Sequence, residues 1–189
     1  MEQAGGDSAG RAQLLPQATV VEEIQSAVCN GYGRLLVLGP PGSRRLASTQ
    51  SALRAMGFKV VVVDLGNVRS RRGLDVAIRR ATRGKDFYGG MRLLQREAMR
   101  RRLAVVFRDF DGCLGLPCED FVTYRILMEV RHHCPTPLVV FTARSTDFVA
   151  RCCDRYNSFR EYVRIVPFSG DTPPGGCAPL GGGPVRGLQ

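Results

Sequence analysis

The run Leu35-Leu36-Val37-Leu38 leads directly into Gly39-Pro40-Pro41-Gly42, then into a helix-like stretch, then into Val60-Val61-Val62-Val63. No other feature restricts the possible folds as strongly. Unbroken apolar runs of this length predict strands covered on both faces rather than strands with one wet side. The Gly/Pro turn ends the first run. Ser43–Met56 reads as a helix closed by Gly57 as its C-cap, and Lys59–Asp64 as a second strand covered on both faces. Strand, turn, helix and strand in this order open an α/β domain of the nucleotide-binding kind.

The rest of the chain repeats the alternation. Residues 19–30 predict a helix with Val20, Val21, Ile24 and Val28 on one face. Arginine-rich helical segments follow over Leu74–Arg83 and Phe87–Arg102. Leu103–Phe107 predicts a third strand, Glu119–His133 a helix and Leu138–Thr142 a fourth strand. Asp147–Asn157 predicts a helix and Tyr162–Phe168 a fifth strand. The expected fold is therefore α/β, a three-layer parallel sheet of five strands with helices on both faces. Residues 1–18 and the Gly/Pro-rich stretch 169–189 are expected to be disordered, which leaves one core domain over 19–168. A length of 189 residues suits one such domain better than two.

No run approaches the roughly 18 apolar residues of a membrane helix. Residues 1–16 lack the charged-then-apolar order of a signal peptide, so a soluble intracellular chain without membrane association is expected. The seven cysteines, an odd number, lack zinc-knuckle spacing, and His132 and His133 have no spaced partner, so no metal site is expected. The formal charge is +10, and among the 27 basic residues only Lys59 and Lys85 are lysines. Guanidinium groups bind phosphate bidentately, so such a surface suits nucleic acid or an acidic partner. GC-rich coding would leave the same arginine bias.

Three strand ends carry residues capable of chemistry. The first is Gly39-Pro40-Pro41-Gly42-Ser43-Arg44-Arg45-Leu46. A phosphate loop needs glycines so that backbone amides can wrap the phosphates, a lysine at their tip and a hydroxyl for magnesium. Here Arg44 replaces the second glycine, Arg45 the lysine and Leu46 the hydroxyl residue. Arginine can still hold phosphate charge, whereas leucine cannot ligate magnesium. An ordinary Gly/Pro turn between strand and helix is the alternative reading. The second is Arg108-Asp109-Phe110-Asp111-Gly112, where Asp109 and Asp111 follow a buried strand at the edge where α/β sheets bind ligands. An ordinary Asp-Gly turn would look the same. The third is Phe141-Thr142-Ala143-Arg144, in which Thr142 can hydrogen-bond a phosphate oxygen and Arg144 can reach a phosphate in this chain or a neighbour's.

Taken in order, these motifs resemble Walker A, Walker B and sensor 1 of an AAA+ ATPase. The closer resemblance is to subunit 4 of the origin recognition complex (ORC). It rests on Arg108-Asp109-Phe110-Asp111 against that subunit's Asp-Glu-Phe-Asp, and on Tyr124-Arg125-Ile126-Leu127 followed by Thr136-Pro137-Leu138. The strand end Thr142-Ala143-Arg144 and the later Arg155-Tyr156-Asn157-Ser158 complete it. The resemblance implies a P-loop NTPase fold of AAA+ type, here expected to lack the helical lid and winged-helix domain that such subunits normally have. It also implies a nuclear role in DNA replication initiation, other ORC subunits as partners and DNA contact through the complex. Gly39, Pro40, Pro41, Gly42, Ser43, Arg44, Arg45 and Thr142 would form a nucleotide site. The departures at Arg44, Arg45 and Leu46 imply weak or absent ATP binding, without hydrolysis, and leave a role for Mg2+ open. Asp109 and Asp111 would be the remaining Walker B acids. Arg144 would be an arginine finger acting on a neighbouring subunit's ATP.

A second resemblance competes. Asp109-Phe110-Asp111-Gly112-Cys113-Leu114 also resembles the first motif of haloacid-dehalogenase-type phosphatases, with Phe141–Arg144 as their second motif and Gly170-Asp171-Thr172-Pro173 as their fourth. In that reading Asp109 attacks phosphorus and Asp111 serves as acid and base. No lysine follows Lys85 to bridge nucleophile and phosphate. Strand order separates the two. An AAA+ core sets the phosphate-loop strand beside that of Thr142, in the order 5-1-4-3-2. The phosphatase places the Asp109 strand centrally with Asp171 beside it.

Overall fold

The computed structural model describes residues 17–40, 44–132, 137–144, 148, 151–152 and 163–167. Within them run α1 (Gln17–Cys29), β1 (Arg34–Leu38), α2 (Arg45–Ala55), β2 (Lys59–Asp64), α3 (Arg71–Thr82) and α4 (Phe87–Ala98). They are followed by β3 (Leu103–Arg108), a 3₁₀ turn (Phe110–Cys113), α5 (Glu119–His132), β4 (Leu138–Ala143) and β5 (Arg164–Pro167). Phe148, Arg151 and Cys152 are helical; the remainder of the helix expected over Asp147–Asn157 lies outside the described residues. No helix among the described residues is long and apolar enough to cross a membrane.

The strands form one parallel sheet in the order β2-β3-β4-β1-β5. This is the order expected of an AAA+ core, with β1 against β4 in the register Leu38↔Ala143. The phosphatase alternative fails on the same observation. β3, which leads into Asp109, lies between the edge strand β2 and β4 rather than at the centre; the expected fourth motif at Gly170–Pro173 lies outside the described residues.

Period-two alternation along each strand divides the core in two. Leu36, Leu38, Val105, Phe107, Val139 and Phe141 pack with Leu74 and Ile78 of α3, Phe87 and Leu94 of α4, and Val122 and Ile126 of α5. Leu35, Val37, Ala104, Val106 and Val140 pack with Val20 and Ile24 of α1 and with Ala52 and Leu53 of α2. Each fully buried aliphatic or aromatic side chain contributes about 1.5–3 kcal/mol relative to exposure, so the expected three layers rest on both clusters.

The valine strand departs from expectation. β2 is an edge strand, and Val60, Val61 and Val62 are only half-buried, whereas Val63 is buried. Helices lie over both of its faces, but β3 pairs with it on one side only, so its flank stays open to water. The helix pair between β2 and β3 is set by its caps. The Ser70 hydroxyl accepts from the Gly73 N–H at 3.2 Å and the Asp86 carboxylate from the Gly89 N–H at 2.7 Å, which starts α3 before the predicted Leu74. Gly90 lets the two helices meet: a Cβ there would come within 2.5 Å of Ile78 Cγ1.

Candidate functional site at the strand ends

Because every strand runs the same way, the carboxyl ends of β1, β2, β3 and β4 share one edge of the sheet. Gly39, the first residue after β1, donates its N–H to the Ala143 carbonyl at 3.1 Å, which ties the loop to the end of β4. Pro41, Gly42 and Ser43 lie outside the described residues. Arg44 is exposed, its carbonyl accepting the first helical hydrogen bond of α2 from Ser48 at 2.8 Å.

Arg45 behaves unlike a lysine reaching for phosphate. Only 7% exposed, it turns back under the loop. Nη1 donates to the carbonyls of Gly39 and Pro40 at 2.9 and 2.8 Å, and Nη2 donates to Asp109 Oδ1 at 2.9 Å. One planar guanidinium thus joins the loop after β1 to the residue after β3, a geometry its fork of donors permits and an ammonium does not. Leu46 packs against the α1/α2 cluster.

Asp109 has φ 50° and ψ 53°, the left-handed region that aspartate tolerates better than most residues. The turn is held from several sides. The Asp109 N–H donates to the Thr142 hydroxyl at 3.2 Å, and the Asp109 carbonyl accepts from the Gly112 N–H at 2.7 Å. Phe110 is buried beneath it, 4.5 Å from the Phe141 ring and 5.2 Å from that of Phe148 between centroids. Gly112 is required by close approach, since a Cβ would stand 2.9 Å from Gly66 Cα and from the Leu65 carbonyl oxygen. Next to it, burial pushes the Cys113 thiol up, with the neighbouring Cys118 adding to the effect, so it stays protonated at neutral pH.

Asp111 does a different job from Asp109. It is buried, and Oδ2 accepts the Arg144 N–H at 2.9 Å while Oδ1 lies 3.7 Å from Arg144 Nε. The Arg144 side chain remains 43% exposed. The site therefore divides: Arg45, Asp109 and Thr142 form one group, and Asp111 and Arg144 another.

Two participants were not singled out as site residues by the motifs. Asp64 ends β2 in register with Arg108 of β3, and Arg108 Nη1 lies 3.3 Å from Asp64 Oδ2. Arg108 Nε lies 3.2 Å from Asp109 Oδ2. A row of alternating charge, Asp64, Arg108, Asp109 and Arg45, runs along the sheet edge. Its one sequence signal is that Asp64 ends the valine run as Asp109 follows the next apolar strand.

Magnesium does not fit this arrangement. The hydroxyl ligand is replaced by Leu46, and both carboxylate oxygens of Asp109 already face guanidinium groups. Among the described residues no three of His, Cys, Asp and Glu come together as a metal-binding group.

Comparison with solved structures decides the fold. The chain is similar to one in Drosophila ORC bound to AT-rich DNA and Cdc6, with a TM-score of 0.50 at 15% identity, over 82% of this chain and 57% of that one. The fold is the five-stranded parallel α/β fold shared with that chain over the matched part. A chain of Drosophila ORC bound to poly(dA/dT) DNA and Cdc6 gives a TM-score of 0.52 at 12% identity, over 80% of this chain and 28% of that one. A chain of Drosophila ORC bound to GC-rich DNA and Cdc6 gives 0.50 at 17%, over 80% and 57%. The chain thus spans only part of each chain it resembles. No protein-family model matches the sequence, and no curated protein matches it. At such identities the likeness carries the architecture alone.

Proposed function

We propose that the chain is an AAA+ subunit of an ORC-type assembly in DNA replication initiation, related most closely to subunit 4. In this reading it acts in the nucleus beside other ORC subunits and offers Arg144 to a neighbouring subunit's ATP. The observation that carries the finger reading is the anchoring of Arg144. Its backbone is held by buried Asp111 at 2.9 Å just beyond β4, while its side chain stays 43% exposed, with Nε 3.7 Å from Asp111 Oδ1. A finger needs such a fixed root and a solvent-accessible side chain, because its charge must leave the long Asp111 contact and meet the phosphoryl group developing in another active site.

Weak nucleotide binding by the chain's own loop follows from Arg45. The cation that would hold phosphate is spent on Gly39, Pro40 and Asp109. With Leu46 at the hydroxyl position and no fit for magnesium, no hydrolytic step is assigned to this subunit. DNA contact through the complex is supported by the similar chains, which come from ORC bound to DNA. The arginine-rich helices α3 and α4 are the surface of this chain suited to it, through contacts that weaken steeply with salt.

The test is ATP turnover by the assembled complex carrying Arg144→Ala in the full chain. Turnover should fall on the order of a thousandfold while the subunit still folds and assembles. Unchanged turnover by a correctly assembled complex overturns the finger assignment.

A further inference from the structure

Arg125 lies on α5, well away in sequence from the strand-end residues, and is only 8% exposed. Its guanidinium carbon stands 4.2 Å from the centre of the Tyr88 ring and 5.4 Å from those of both Phe87 and Phe121. Nε is buried without a hydrogen-bond partner among the described residues, and none of their carboxylates pairs with this arginine. Guanidinium stays charged at any physiological pH. A buried charge is tolerated when it is paired, and aromatic faces replace a counter-ion only in part. The cluster is short of an anion.

The surroundings indicate which anion. Phe87 is fully buried, but Tyr88 and Phe121 are 45% and 38% exposed. Arg71 reaches the Phe121 ring at 5.8 Å. Tyr88 also lines a groove of about 630 Å³ with Arg83, Lys85, Arg92 and Leu93. The one acid in that lining, Asp86, is engaged as the N-cap of α4. Exposed rings interleaved with cations are what unpaired bases and their phosphates require: bases stack on the rings, and guanidinium and ammonium groups follow the backbone. A duplex hides its base faces and would leave the rings unused. An acidic peptide would use the cations but has no general need of two exposed rings.

We infer that Tyr88, Phe121 and Arg125, with the adjoining basic groove, bind single-stranded nucleic acid. Bases stack on Tyr88 and Phe121, and phosphates meet Arg125, Arg71 and the groove cations. This surface is separate from the strand-end site and independent of the finger assignment; it rests on the DNA contact proposed for α3 and α4 and narrows it to unpaired bases at the side facing α5.

The test uses the full chain and a fluorescently labelled oligothymidine of about twenty nucleotides, longer than the usual site of a single stacking platform, with binding read by fluorescence anisotropy at low salt. Tyr88→Ala and Phe121→Ala should each weaken binding about tenfold, whereas Tyr88→Phe and Phe121→Tyr should keep it. Binding of a duplex of equal length should change little. On the unmodified chain, ultraviolet cross-linking and mass spectrometry should place thymine adducts on Tyr88 or Phe121, a readout that needs no variant to fold. The inference is overturned by absence of oligothymidine binding, by equal binding of the folded alanine variants, or by adducts confined to other residues. Ring-dependent binding of polyglutamate without binding of oligothymidine overturns it in favour of an acidic protein partner.

Discussion

Arg45 and Asp109 meet at 2.9 Å beneath the loop that follows β1, and the same guanidinium closes on the carbonyls of Gly39 and Pro40. A side chain that joins two strand ends from below is a structural tie as much as a remnant of a binding motif.

Arg45→Ala should therefore destabilise the fold by about 3 kcal/mol, because it leaves a largely buried carboxylate without its main partner. Arg45→Lys should recover only part of the loss, since an ammonium does not reproduce the fork. Urea unfolding of Arg45→Ala, Asp109→Ala and the double variant should return a coupling of at least about 0.5 kcal/mol. Strict additivity would show that the two residues do not act as a pair.

Asp111 should govern the root of Arg144. Asp111→Ala removes the acceptor of the Arg144 N–H and should cost about 1–3 kcal/mol, with faster hydrogen exchange at that amide. Asp111→Asn keeps an acceptor oxygen and should protect the amide better. Equal exchange in the two variants would refute the anchoring role.

Gly112→Ala brings a methyl group within 2.9 Å of Gly66 Cα and the Leu65 carbonyl, neither of which can swing aside as a side-chain tip can. The backbone has to shift, and overpacking of this kind costs about 1–3 kcal/mol. A drop in melting temperature should register it, together with amide chemical-shift changes centred on residues 64–67. A wild-type melting curve would contradict the close approach.

Glu97 supplies a pH dependence. The Lys59 ammonium, hydrogen-bonded at 2.7 Å, holds the carboxyl below its ordinary value, aided by the charge of Arg101 and opposed by slight burial. A carboxyl lowered in the folded state stabilises it above the unfolded-state pKa, and that contribution fades as pH falls through the lowered value. Lys59→Met should move the Glu97 titration, followed by side-chain NMR, to higher pH. The stability gap between wild type and variant should shrink as the solution is acidified. A titration curve that does not move would remove the Lys59 contribution.

Strand positions were legible because five short apolar runs in helix-length spacing admit little other than a parallel sheet. The edge position of β2 was not legible. Val60–Val63 would read the same at the centre of the sheet, since helices lie over both faces in either place. The loop, Asp109, Asp111, Thr142 and Arg144 were visible as strand ends. Their grouping was hidden, because pairings such as Arg45 with Asp109 or Asp111 with Arg144 join residues remote in sequence. Arg125 was hardest to see. It falls inside a helix whose apolar period neither requires nor forbids it, in a chain already rich in arginine.

The strand order also bears on how such a chain is made. Leu36 of β1 pairs with Phe141 on one side and Ile165 on the other, so both neighbours of β1 emerge from the ribosome long after it does. β2 and β3 can pair early, whereas β1 and the loop it carries must wait for nearly the whole core. High contact order of this kind slows folding and leaves an apolar segment exposed to misassociation meanwhile. A polypeptide released before Leu138 would hold β1 with no strand on either side, and with it the loop whose tie to Ala143 had never been made.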